Sequence, residues 1–348
     1  MAVPTRPLGT TGMDISAVGF GAWAIGGAGW KFAWGAQDDA DSVAALRRAV
    51  EAGVNWVDTA PVYGLGHSEE VVGKALAGFP EADRPYVFTK CGLIWDENDR
   101  TAPPRKILRP EVVRRELEDS LRRLGVERID LYQAHWPGDG LPLDFTTDPA
   151  TESSPDAVAL EEYWRTLADL KAEGKVRAIA LSNHGVAQLD RAEAVAHVDA
   201  IQPQFSALAR QSAAELEWAA DHGTGAIVYQ PMHSGLLTGA FSKERVASLP
   251  EDDWRKTAPE FTDHLRGSLA VAGALRTVAD RHGVPVPAAA VAWTLAWRGV
   301  TGAIVGARRP EQIDDWIGAG AVELTGTDVD EVAVAIAAAG VGHGPVRP

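Results

Sequence analysis

One repeating pattern narrows this chain more than any other feature: a short apolar run followed by a helix-like stretch, eight times over. The runs lie at residues 18–21, 54–57, 86–90, 128–133, 176–181, 200–202, 225–229 and 302–305, and each has the length and apolarity of a buried strand. Helical stretches are predicted between and after them. They are 41–52 (capped by Asp38 or Asp39 and ended by Gly53), 68–77, 110–124 (stopped by Gly125) and 155–173 (stopped by Gly174). Then come 186–196, 213–222, 269–282, 286–296, 310–319 and a tail helix over 328–339. Strand and helix in alternation make a parallel sheet covered by helices, and eight such units close it on itself. The predicted fold is α/β, a (β/α)8 TIM barrel in a single domain over 1–348, with an N-terminal β-hairpin near residues 6–15. Three connections are lengthened, 92–109, 136–154 and 236–266, and all follow strands. Long loops at the C-terminal face of the strands usually carry function.

Several strand ends carry residues that make poor core. Asp58 closes the apolar run 54–57, and a Pro/Gly-punctuated loop then presents Tyr63. Lys90 closes the next strand and His135 the one after it. In a barrel of this kind, groups at the carboxyl ends of strands are the catalytic ones. Each also has an ordinary alternative. Tyr63 alone would be a rim aromatic, and His135 alone a core histidine bonded to backbone. Lys90 on a barrel strand could instead form a Schiff base, if desolvation lowers its pKa.

The four together resemble the Asp, Tyr, Lys, His tetrad of the aldo-keto reductases, with the nearest look to the bacterial general-stress and inositol-operon branch, over roughly residues 6–317. The resemblance implies hydride transfer between a nicotinamide and an aldehyde, ketone, sugar alcohol or hemiacetal. Tyr63 is then the general acid/base, the donor that the carbonyl oxygen needs within hydrogen-bond reach, and it needs a cation to lower a phenol that titrates near ~10 when free. Lys90 supplies the cation, Asp58 holds it charged, and His135 orients the carbonyl.

No complete Gly-x-Gly-x-x-Gly and no Walker sequence occur, so a dinucleotide would bind without a Rossmann unit. The resemblance implies that it lies across the top of the barrel. Its cofactor-binding positions map onto Gly21, Ala22 and Trp23, onto Asp58, and onto Ser182, Asn183 and Gln202 as a clamp on the carboxamide. Tyr229 matches the aromatic stacked on the nicotinamide. Gln230, Pro231, Met232, Ser234, Gly235 and Leu237 are further cofactor-binding positions, with residues 235–239 resembling the loop over the pyrophosphate, although the family usually has Ser-Pro-Leu where this chain has Gln230-Pro231-Met232. Gly306, Ala307, Arg308, Gln312 and Asp315 complete the set. Amides at a helix start favour phosphate, and an arginine grips a 2′-phosphate bidentately. Arg308 therefore points to NADP(H) over NAD(H), while Arg309 has the simpler reading of a solvated basic residue. Trp316 stands where the family often has an asparagine near the adenine.

Trp23, Trp30, Trp95 and Trp136 are expected to wall a substrate pocket for a small carbonyl or alcohol. A formal net charge of −15 argues against nucleic acid or an anionic membrane surface as partner. The single cysteine, Cys91, allows no intrachain disulfide, and residues 1–6 lack a signal-peptide layout. The longest apolar runs are too short to span a bilayer, so the expectation is a soluble cytoplasmic protein. The histidines show no metal-ligand spacing. Two other readings stay open: a redox-sensing cofactor-binding subunit like the potassium-channel β subunits, and a Schiff-base aldolase using Lys90.

Overall fold

The computed structural model describes residues 3–144, 154–249 and 253–348. Met1 and Ala2, residues 145–153 of the expected loop 136–154, and residues 250–252 of the expected loop 236–266 lie outside the described residues. The chain opens with an antiparallel pair, β1 (Thr5–Pro7) and β2 (Asp14–Ser16). Next come β3 (Val18–Gly21), α1 (Asp39–Glu51), β4 (Trp56–Asp58), α2 (His67–Leu76) and β5 (Tyr86–Cys91). A short antiparallel pair, β6 (Leu93–Ile94) and β7 (Arg105–Lys106), sits inside the expected loop 92–109. It is followed by α3 (Pro110–Leu124), β8 (Ile129–Ala134), α4 (Leu160–Ala172), β9 (Val176–Ser182) and α5 (Val186–Glu193). The remainder is β10 (Ala200–Gln202), α6 (Ala213–His222), β11 (Gly225–Val228), α7 (Lys243–Ala247), α8 (Leu265–His282), α9 (Val286–Leu295), β12 (Gly302–Gly306) and α10 (Gly326–Ala339).

Strands β3, β4, β5, β8, β9, β10, β11 and β12 form a closed barrel in that order, with β12 returning to β3 and every pair parallel. This is the (β/α)8 architecture predicted from the alternation. The helix starts have local causes: the Asp38 carboxylate caps α1 by accepting from the amides of Ala40 and Asp41, and Gly125 ends α3 in the left-handed conformation.

The N-terminal hairpin closes the barrel's amino-terminal end. Leu8, Met13 and Ile15 pack with the inward residues Trp56, Phe88, Leu131, Ala178, Ile227 and Ile304, and the Trp56 indole donates to the carbonyl of Ser16 at 2.8 Å. Burying a large apolar side chain of this kind stabilises by about 1.5–3 kcal/mol. The Trp56 ring also explains Gly19, where an added Cβ would fall 2.2 Å from it. With that end filled, the chemistry is left to the other. No helix in the described residues is long and apolar enough to cross a membrane.

Two predicted helices differ. The stretch from 155 becomes helical only at Leu160. The Asp156 carboxylate takes Arg105 and Arg109, tying this segment to β7 and the residues just after it instead. The stretch 310–319 forms two 3-10 turns, Pro310–Ile313 and Ile317–Ala321. Trp316 breaks between them with φ −135 and puts its ring in the core, and Gly320 comes so close to β2–β3 that a Cβ would lie 2.8 Å from that of Ala17.

Candidate active site

The four strand-end residues predicted to act together do meet at the carboxyl-terminal mouth of the barrel. Asp58 is the last residue of β4, Lys90 lies one residue from the end of β5, and His135 follows β8. Tyr63 is carried on the turn after β4, whose next residue, Gly64, has φ 64 and presses on the Gly26 carbonyl. A Cβ there would lie 1.9 Å from that oxygen, so only glycine fits.

Lys90 is fully buried and donates in three directions: to Asp58 Oδ2 at 2.5 Å, to the Thr59 carbonyl at 2.9 Å and to Tyr63 Oη at 3.3 Å. An ammonium has three N–H groups, so all are used. Because Tyr63 Oη accepts from Lys90, its own proton is left to point elsewhere. Burial first, and Asp58 second, push the Tyr63 phenol well above its ordinary value, so near neutral pH it is a protonated donor. Burial lowers Lys90, and the Asp58 charge and hydrogen bond oppose that. Burial, then Lys90, holds His135 well below the ordinary histidine value. Its neutral ring stands edge-on to Tyr63, with centroids 5.8 Å apart. Among the described residues its ring nitrogens have no hydrogen-bond partner. A protonated phenol and a neutral imidazole side by side can both donate to one oxygen.

The positions expected at the carboxamide are joined to this centre. Ser182 Oγ donates to the Gln202 carbonyl at 2.8 Å, and Asn183 Nδ2 donates to the His135 carbonyl at 3.0 Å and to Ser182 Oγ at 3.1 Å. Tyr229 Oη donates to Asn183 Oδ1 at 2.8 Å. Asn183 has φ 61, and Gln230, His233, Ser234 and Gly235 on the loop after β11 have φ 57, 46, 54 and 97. Non-glycine residues in that region carry strain of order 1 kcal/mol and gather at ligand sites. Gly21 and Ala22 lie against β4, with the Ala22 amide on the Asp58 carbonyl. Ala307 and Leu237 have buried side chains in the core and offer only backbone to a ligand. Pro231 is buried, and Met232 packs against the core. Asp315 is exposed and is not drawn into the cluster.

At the end of β12, Gln312 Oε1 accepts from the amides of Arg308 and Arg309, while Gly306 is exposed. The Arg308 guanidinium donates to Gln37 Oε1 at 2.7 Å and to the Ala36 carbonyl. Burial, followed by the charges of Arg255 and Arg309, lowers it. Three guanidinium groups thus share one rim of an acidic protein, which fits a multiply charged phosphate ligand.

The aromatic wall is partly as expected. Trp23 stacks on Tyr63 with centroids 6.1 Å apart, Trp30 lies 6.4 Å away, and Phe32 and Trp136 pack in the same cluster. Trp95 is half-buried but lies outside that cluster. Trp34 meets Trp254 edge-on at 6.1 Å, and Arg255 lies over the Trp34 ring at 5.1 Å, joining the loops after β3 and β11. Arg255, Gln37 and Gln133 were not singled out in the sequence. Gln133 had a signal: it follows the inward Leu131 by two residues, so it faces the barrel interior as a polar residue in an apolar strand. Among the described residues no group of His, Cys, Asp or Glu is arranged to hold a metal ion.

Residues 17–337 match the sequence profile described as the Aldo/keto reductase family. The chain is 35% identical over 307 residues to "Aldo-keto reductase YhdN" of Bacillus subtilis (strain 168), covering 87% of this chain and 85% of the relative. It is 33% identical to the "NADH-specific methylglyoxal reductase" of Escherichia coli (strain K12), covering 92% and 95%. The solved structure of the glycerol dehydrogenase AKR11B4 from Gluconobacter oxydans superposes with a TM-score of 0.82 at 36% identity, over 97% of this chain and 96% of that one. The chain belongs to the aldo/keto reductase family of oxidoreductases.

Proposed function

We propose that this protein interconverts an uncharged aldehyde or ketone and its alcohol with NADP(H), using Tyr63 as general acid in reduction and general base in oxidation. The observation that carries this is the hydrogen bond from Lys90 to Tyr63 Oη, which leaves the phenol proton for a ligand and sets a cation behind the oxygen that must bear charge. His135, neutral, donates to the same carbonyl oxygen and orients it. Asp58 keeps Lys90 charged. Trp23, Trp30 and Trp136 exclude water around the phenol and supply no charge of their own, which suits a neutral substrate.

When bound, the nicotinamide supplies or accepts the hydride. Ser182, Asn183 and Gln202 would hold its carboxamide: the Nε2 of Gln202 is already taken by Asp58 and Gln133, leaving Oε1 to accept. Tyr229 would lie against the ring, the strained loop 230–235 would follow the pyrophosphate, and Arg308 with Arg255 would meet a 2′-phosphate. The E. coli relative is named NADH-specific, so cofactor choice is decided by these residues of this chain rather than by the family. The Schiff-base reading finds no support in the geometry, because Lys90 Nζ is enclosed and fully bonded.

Tryptophan quenching on titration with NADPH and NADH separately tests the cofactor. NADPH is expected to bind at least about tenfold more tightly, and Arg308→Ala to remove most of that difference, since a hydrogen bond to a charged group contributes about 1.5–3 kcal/mol. Equal affinities in the unaltered protein would remove the NADP preference while leaving the oxidoreductase.

A further inference from the structure

The Asp58 carboxylate receives three donors, and only one of them is the lysine. Oδ2 accepts from Lys90 Nζ at 2.5 Å, whereas Oδ1 accepts from Gln202 Nε2 at 2.8 Å and from Gln133 Nε2 at 3.0 Å. Gln202 Nε2 also donates to Gln133 Oε1 at 3.0 Å, so the two amides and the carboxylate form a closed ring. That ring fixes how Gln133 points, because turned over it would face carboxylate with carbonyl and lose both bonds. Gln133 pairs with Lys90 across the β5–β8 register and has no exposed surface.

Asp58 is 3% exposed and Lys90 not at all. A pair this far from water has a neutral alternative, with the shared proton on the carboxyl group and an uncharged amine on the lysine. Hydrogen bonds that reach the charged form decide between the two states. Amide N–H groups bond a carboxylate more strongly than a neutral acid, so each amide on Oδ1 favours the ionic pair.

We propose that Gln133 is a positioning residue which, together with Gln202, holds the Asp58–Lys90 pair in its ionic form, so that Tyr63 faces an ammonium. This role rests on Tyr63 being the acid/base group. Gln133 has no exposed surface to offer a ligand and acts through Asp58. Burial alone draws Lys90 away from its charged state, so losing one amide moves the pair toward neutrality.

The test is the pH dependence of alcohol oxidation by Gln133→Leu, which removes the amide at similar volume. In that direction Tyr63 works as a base, and activity rises with pH as the phenol gives up its proton. A neighbouring ammonium lowers the pH at which this happens. The rising limb of kcat is therefore expected to move up by about one unit, with kcat near neutrality about tenfold lower and recovered at high pH. NADPH binding, read by tryptophan quenching, is expected to stay within about tenfold, because Gln133 is bonded to Gln202 only through Gln202 Nε2, from which Asp58 still accepts, and the Gln202 Oε1 offered to the cofactor is left in place. If Gln133→Leu does not fold, Gln133→Met carries the same expectation. An unmoved limb overturns the role even where kcat falls, and so does an activity loss that high pH does not restore. A wild-type protein with no alcohol oxidation on either cofactor would instead overturn the assignment of Tyr63, and this role with it.

Discussion

Tyr63→Phe is expected to lower kcat for carbonyl reduction by about 10²–10⁴-fold, the range that a positioned general acid contributes, while NADPH binding stays close to the unaltered protein's. The substitution removes one oxygen from a ring that keeps its packing. Trp23 still stacks on it and Trp30 still lies against it, so the pocket wall survives. What disappears is the hydroxyl that accepts from Lys90 and keeps its own proton free to donate. His135 can still orient the carbonyl but, held neutral, is a weak acid. Steady-state turnover alongside a quenching titration separates the two effects. Turnover within a few-fold of the wild type would end the assignment of Tyr63, and a parallel collapse of cofactor binding would show that the variant had disturbed more than one atom.

Lys90→Met should be the most damaging single change, because it removes the cation from Tyr63 and also strands Asp58. The carboxylate would stay buried with amide donors only, and breaking a buried pair from one side costs about 3–5 kcal/mol. The expectation is a loss of activity at least as large as that of Tyr63→Phe, together with a clear drop in the urea midpoint of unfolding. A second substitution separates the causes. In Lys90→Met with Asp58→Asn, the charge is gone but an amide oxygen still accepts from Gln133 and Gln202. Most of the lost stability should return, and none of the activity. A double variant as unstable as the single one would show that the cost came from packing around the lysine stem rather than from the unpaired charge.

How much of this was legible beforehand depends on the range of each interaction. Helix α3 and strand β10 match their predicted bounds, because proline, glycine and apolar runs act within a few residues. The final turns at Pro310–Ile313 and Ile317–Ala321 escaped, since the Trp316 ring leaves the helical path for a core that local sequence does not describe. The same division runs through the site. Asp58, Lys90 and His135 stand out in the chain as polar groups closing apolar strands, and Tyr63 as the phenol on the Pro/Gly loop that follows the first of them. Trp95 looked equivalent to Trp23, Trp30 and Trp136 and is not, because loop paths after β3 and β6 decide which indoles reach the phenol.

The chain alone carries the class of fold and the chemical inventory of the mouth, because alternation and strand-end chemistry are written residue by residue. Barrel closure decides the rest. It brings Gln133 and Gln202, 69 positions apart, onto one oxygen of Asp58, and sets Arg255 of the loop after β11 beside Trp34 and Arg308. Those contacts depend on strand register and on which face each side chain takes. A one-residue slip in a strand would turn Gln133 away from the interior while leaving the apolar pattern that predicts the strand almost unchanged.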